Sequence, residues 1–363
     1  MHRFDGFFKI FLFLVSAMLC PFPLLGMPCS QYEGVYGRLF SSAACTPCTC
    51  SCILEVTPLA WQAREEGLNF ALKNEPLPLG ANVSVNGILV GPDFHWEPAL
   101  KIKGGLLFNE RAWDFAVHWT YFHTRTTRQE RQATNALGAG LMPIWAPPDA
   151  NIAEEFTYGS VKAHWNHTLQ EFDIMLGYEP YISPRFSMRW AAGLKTVDIS
   201  EHFSILYTEG FHGDIAQLIF SHTDLIKKTI GAGPRIEITS KWRLTHGFAL
   251  LTSLAGSLPL WHYRITRQDQ ALGVLSTRNQ EISASSRERF WTFRPVLEML
   301  LGIHWEICFS QYSFGIAANY EFQYFSENNM FHLLVNPGLL SLHYFPRGDL
   351  QLQGVGVNIH FGF

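Results

Sequence analysis

Along GVGVNIHFGF (354–363) apolar and small-or-polar positions alternate without a break. Val355, Val357, Ile359, Phe361 and Phe363 stand against Gly354, Gly356, Asn358, His360 and Gly362. Successive side chains of a β-strand point to opposite faces, so this period of two predicts a strand with one greasy face. Trp113, Phe115, Val117, Trp119 and Tyr121 interleave in the same way with Asp114, Ala116, His118 and Thr120. Phe186, Met188, Trp190, Ala192 and Leu194 oppose Ser187, Arg189, Gly193 and Lys195, and Phe314 to Tyr324 and Trp291 to Trp305 continue the theme.

These stretches predict strands near 53–62, 97–108, 113–123, 159–178, 185–196, 226–238, 247–266, 290–305, 312–325 and 349–363. FSILYT (203–208) and LNFAL (68–72) are candidates for additional strands, giving ten to twelve. The connections alternate: long at 63–96, 124–158, 197–225, 267–289 and 326–348, short at 109–112, 179–184, 239–246 and 306–311. Long outer loops and short periplasmic turns are the habit of barrels that cross the bacterial outer membrane. A soluble sandwich also alternates, but here Trp and Tyr gather near strand ends, where a lipid headgroup girdle needs them. The fold class expected is therefore all-β: a transmembrane antiparallel up-and-down β-barrel.

Composition narrows the picture. Only 16% of the residues are charged and 47% are hydrophobic, with 29 Phe, 12 Tyr and 11 Trp. The uncharged run 244–263 is long enough for a membrane helix. Pro259 and its Gly, Ser and Thr content place it instead within a strand. Net charge is −4 with no basic block, which argues against a nucleic-acid partner. At the N-terminus, Arg3 and Lys9 precede the apolar core IFLFLVSAML (10–19), the layout of a secretory signal peptide ending near Gly26. The expected organisation is a cleaved signal at 1–26, a Cys-rich periplasmic segment at 27–52 and an outer-membrane barrel at 53–363.

With those segments in place, the chain resembles the Legionella-type major outer membrane proteins, a pore-forming family with chlamydia-like relatives. The likeness runs through LAWQAREEGLNFAL (59–72), FHWEPALKIKGGLLFNERAWDFAVHWTYFHTRT (94–126), KAHWNHTLQEFDIMLGYEPYISPRFSMRWAAGLK (162–195) and GAGPRIEITSKW (231–242) to the terminal Phe. The C-terminal strand, with Phe361 and Phe363, resembles the end that the outer-membrane assembly machinery reads. Conduction of small solutes is what the family resemblance implies.

Six cysteines would remain after cleavage: Cys29, Cys45, Cys48, Cys50, Cys52 and Cys308. Export into an oxidising compartment favours disulfides over a zinc site, either within 29–52 or to other envelope proteins. All six are expected on the periplasmic side, Cys308 in a short turn.

The inward positions of the expected wall mix both signs. Lys101, Lys103, Lys162, Arg189, Lys195, Arg235 and Arg294 face Asp114, Asp173, Glu237, Glu298 and Glu321, with His118 among them. Such a lining can hold water and small ions, or interlock as salt bridges that fill the interior. Eight strands are just filled by side chains and open porins use 16–18, so ten strands leave little room. Candidate hydrolytic pairs include Asp114 with His118, and Asp173 with His164, but four residues along one strand put the first pair about 13 Å apart. The reading is a non-enzymatic, porin-like outer-membrane protein without cofactor or metal, in contact with outer-membrane lipid and lipopolysaccharide. A non-conducting structural or adhesive barrel is the alternative, and an outer-membrane hydrolase ranks below it.

Overall fold

The computed structural model describes residues 51–74, 87–108, 112–133, 140–145, 157–180, 182–212, 215–216, 220–275, 278–309, 312–335, 342–344 and 348–362. The expected signal peptide, Cys29, Cys45, Cys48, Cys50 and Phe363 lie outside the described residues.

Ten wall strands follow one another: β1 (Ser51–Glu65), β2 (Trp96–Phe108), β3 (Trp113–Arg131), β4 (Thr157–Tyr178), β5 (Phe186–His212), β6 (Phe220–Arg243), β7 (Phe248–Ser257 with Leu260–Leu275), β8 (Arg278–Phe293 with Val296–Phe309), β9 (Tyr312–Asn329) and β10 (Gly348–Gly362). Each pairs antiparallel with the next, as β1 does with β2 through Val56↔Ile102. The ring closes where β10 returns to β1, through Ile53↔Gly362, Leu59↔Gly356 and Arg64↔Gln351. A closed antiparallel barrel results, its ring of strand pairs complete as hydrocarbon demands, while the outer part of β8, Arg278–Phe293, pairs only with β7.

Greasy positions face outward as the alternation predicts. Leu194, Ile236, Leu254, Met299, Leu301, Ile303, Val355 and Val357 are all exposed, although a soluble fold would bury such side chains. Aromatic pairs bound this band at the inner end, Trp113 with Tyr178 and Phe186 with Trp242, and Phe361 stands exposed on the terminal strand against Phe314. Toward the outer end the band stops at Trp96, Trp291 and Tyr320. Pro234, Pro259 and Pro295 lie close together on three neighbouring strands. Proline cannot donate to the ladder, and β7 and β8 are each interrupted at theirs.

Two of the expected long loops are corrected. The stretches 197–225 and 267–289 are mostly strand, and FSILYT continues β5 rather than forming a separate strand. At 27 residues β5 far exceeds the roughly 9–11 needed to cross hydrocarbon. Beyond the membrane the apolar face turns inward and the outward face becomes polar, so a lipid-facing pattern no longer marks the strand. The cysteine expectations shift too. Cys52 is already within β1, opposite Leu106, and Cys308 is in β8 opposite Ser313, not in a turn.

The outer end carries the remaining segments. Ala71–Asn74, reached through LNFAL, pairs with both Gly87–Val90 and Gly140–Pro143. Leu141 hooks this flap to Tyr158 of β4. Phe70, Ala71, Val90, Leu141 and Trp145 are buried, so the flap lies inside the barrel mouth.

Candidate functional site: a charged vestibule beneath an apolar plug

Inward positions divide the interior into layers. The inner half is polar and encloses a cavity of about 460 Å³ that reaches the inner rim at Ile53, Tyr312 and Gly362. Lys101, Lys103, Asp114, His118, Asp173, Arg189, Arg235, Glu237, Glu298 and Glu321 all line it. Lys195 is fully buried at its edge, with its Nζ 2.7 Å from Glu171, 3.0 Å from Glu298 and 3.6 Å from Asp173. Arg294 sits elsewhere, ion-paired with Glu327 toward the outer end.

Lys162 is corrected: it is exposed on the outward face of β4, while its neighbours Val161 and Ala163 are buried inside. The cause is the same reversal. Lys162 belongs to the part of β4 beyond the membrane, where the polar side of the strand faces water.

The lining charges are cross-linked around the wall. Arg189 holds Asp114 at 2.6 Å and Glu237 at 3.0 Å, Lys103 holds Glu55 at 3.0 Å, and Lys241 holds Glu306 at 2.9 Å. Arg235 pairs with Glu298 and with Glu237, and Lys101 with Glu321. Ion pairs in a confined interior persist only when their charges are matched this closely. Glu55, Glu171, Lys241, His304, Glu306 and His360 also line it. None of the six stands out by type, and the alternation of their own strands is the signal that places them inward.

The hydrolytic pairs do not assemble. Asp114 is engaged by Arg189. His164 bonds Thr127 on the outward face, whereas Asp173 is buried within, so the two side chains are on opposite sides of the wall.

Above the vestibule the lumen is filled. Trp61, Phe122, Leu169, Val197, Tyr263, Phe325 and Leu352 belong to one buried apolar cluster. Over it lies a buried ionic knot: Lys227 Nζ is 3.0 Å from Glu65 and 2.7 Å from Glu201, and it donates to the Asn328 carbonyl at 2.7 Å. Asn328 Nδ2 donates to both carboxylates and His167 bonds Glu201 at 2.9 Å. Burial, followed by repulsion from Glu201, pushes the Glu65 carboxyl up from the usual range.

Still further out, the flap is fastened to the wall. Tyr207 donates to the Phe70 carbonyl, Thr223 to the Trp145 carbonyl at 2.8 Å, and Trp145 Nε1 to the Asn69 carbonyl at 2.7 Å. Arg267 reaches the carbonyls of both Trp145 and His332, joining the flap to the segment after β9. Sequence reasoning missed this plug because Trp145 and Phe331 lie in segments read as loops, and Phe70 in LNFAL, read as a candidate additional strand.

Comparison with known proteins follows from this architecture. The E. coli outer membrane protease OmpT is similar over 89% of this chain and 99% of its own, at 11% identity and a TM-score of 0.39. The Pseudomonas putida toluene transporter TodX covers 87% of this chain and 89% of its own, at 6% identity and 0.28. A Pseudomonas aeruginosa FadL homologue gives 87% and 90%, at 8% and 0.25. At such scores these likenesses lend nothing to function. No curated protein matches the chain. The family model of the Legionella pneumophila major outer membrane protein precursor matches residues 54–362, nearly the whole barrel. The chain belongs to that major outer membrane protein family.

Proposed function

We propose that this outer-membrane barrel is a wall protein whose passage is closed in its resting form, with a charged vestibule facing the periplasm. The termini of the described barrel and its short turn at 244–247 share the vestibule's end, the end outer-membrane barrels turn inward. The single observation that carries the reading is the apolar layer of Trp61, Phe122, Tyr263 and Phe325, capped by the flap. Hydrated solutes do not cross a packed apolar layer, since its side chains offer no replacement for their water.

The exterior suits an outer leaflet rich in phosphorylated lipid. Lys228, Arg264 and Arg289 are lateral neighbours on β6, β7 and β8, all exposed and without an ion pair among the described residues. They stand one outward position beyond Ile230, His262 and Trp291, where the apolar band ends. Like charges directly opposite one another destabilise a sheet, so the row supports anionic headgroups, such as those of lipopolysaccharide, as its neutralising contact.

The polar vestibule favours a second reading: passive diffusion of small solutes once the plug leaves the mouth. Liposome swelling separates the two. Proteoliposomes of the full chain should exclude small sugars under resting conditions; rapid sugar-driven swelling would overturn the closed resting form.

A further inference from the structure

At the inner mouth, three potential metal ligands converge that the packing of the barrel does not require. His304 and Glu306 are successive inward residues of β8, and His360 is inward on β10. Strand β9 lies between, so residues on β8 and β10 are next-but-one neighbours and ordinarily too far apart for short side chains to meet. Here the intervening row is emptied: Glu306 is level with Gly315, and Gly315 with His360. A Cβ on Gly315 would collide with the His360 ring. The neighbouring row holds only Ala317 beside His304. The imidazole of His360 thereby lies across β9, with Nδ1 3.3 Å from His304 Nε2 and Nε2 3.6 Å from Glu306.

We propose that His304, His360 and Glu306 form a binding site for a divalent first-row transition ion of the zinc class, loaded from the periplasmic side. One ligand atom from each of the three lies within 4.8 Å of the others. Two nitrogens bound to one tetrahedral zinc stand about 3.3 Å apart, given bonds of about 2.0–2.1 Å. The two imidazoles already meet that separation. Lys241 bonds Oε2 of Glu306 at 2.9 Å, which leaves Oε1 toward the histidines and orients the carboxylate from behind. Such outer hydrogen bonds normally accompany a metal-binding carboxylate. His304 is 7% exposed and its Nδ1 has no hydrogen-bond partner among the described residues. Two imidazoles and one carboxylate leave a fourth position open to water, and they suit zinc, cobalt or nickel over calcium or magnesium, which prefer all-oxygen shells. The sequence reading expected no metal, because residues 304, 306 and 360 are unremarkable in linear order.

The test is a Co²⁺ titration of the refolded full chain in detergent, its thiols alkylated so that cysteines cannot compete. A single saturable site with visible ligand-field absorption, displaced by one equivalent of Zn²⁺, is expected. His304→Gln and His360→Gln should each weaken it on the order of 100-fold, and Lys241→Met roughly 10-fold, as outer-shell losses do. Gly315→Val, which keeps every ligand but pushes the ring aside, should weaken it as well. Heat-dependent gel migration shows whether each variant retains a closed barrel. Absence of a saturable site in the folded wild type, or a site unchanged in folded His304→Gln and His360→Gln, overturns the assignment.

Discussion

The hydroxyl of Tyr207, on β5, donates to the carbonyl of Phe70 across 2.5 Å, and the same oxygen accepts the backbone N–H of Trp145 at 3.3 Å. One buried side chain thus fastens two segments of the flap to the wall. Tyr207→Phe removes the bridge: the buried Trp145 N–H loses this partner, and the Phe70 carbonyl keeps only the Ile144 N–H. A cost of about 1–3 kcal/mol is expected, read as a lower melting temperature. Proteolysis should show where the loss falls: cleavage within the flap should quicken while the wall stays resistant.

Lys227 holds two carboxylates, Glu65 and Glu201, in a place closed to water. Lys227→Met leaves the Glu201 carboxylate, with Glu65 beside it, buried without its cation. Breaking one side of a buried pair typically costs about 3–5 kcal/mol. The triple change Lys227→Met, Glu65→Gln and Glu201→Gln removes the charges together, and it should recover most of that loss in chemical denaturation.

The same knot gives stability a pH dependence. The Glu65 carboxyl is raised by burial and by Glu201 to about 8. An acid with a raised folded value contributes its stability fully below its ordinary, unfolded pKa and loses it as pH climbs through the folded one. The barrel should therefore melt at progressively lower temperature from the ordinary glutamate range up to about pH 8. Glu65→Gln keeps an oxygen for Asn328 and Lys227 but cannot ionise. Its melting temperature should be flatter over that window; an unchanged slope would assign the dependence elsewhere.

Arg264 lies between Lys228 and Arg289 in the outward cationic row. In zwitterionic detergent, Arg264→Gln should stabilise slightly, by about 0.2–1 kcal/mol, because it relieves like-charge opposition. Adding lipopolysaccharide should stabilise the wild type more than the variant. Equal stabilisation of both would count against headgroup binding by this row.

Most of the wall was legible because lipid and lumen impose opposite demands on adjacent residues. Val355 against Gly356, or Trp113 against Asp114, states the strand and its two faces together. Ten of the thirteen expected inward residues line the vestibule for that reason. The signal failed where its cause did. Lys162 and the far end of β5 are beyond the hydrocarbon, so polarity there no longer reports the side of the wall. The flap was illegible on different grounds: it is built from pairings far apart in the chain, such as Asn74 with Gly140, and short segments of that kind have no periodicity. The His304, Glu306 and His360 cluster depends on register through Gly315, which no linear spacing encodes.

The closed lumen is tested most directly by single-channel recording in planar bilayers. The full-length wild type is compared with a double variant, Tyr207→Phe with Arg267→Gln, which removes two of the fastenings of the flap. The wild type should remain silent while the variant shows stepwise current flickering as the flap comes free. Steady stepwise conductance from the wild type, equal to that of the variant, would contradict the plug.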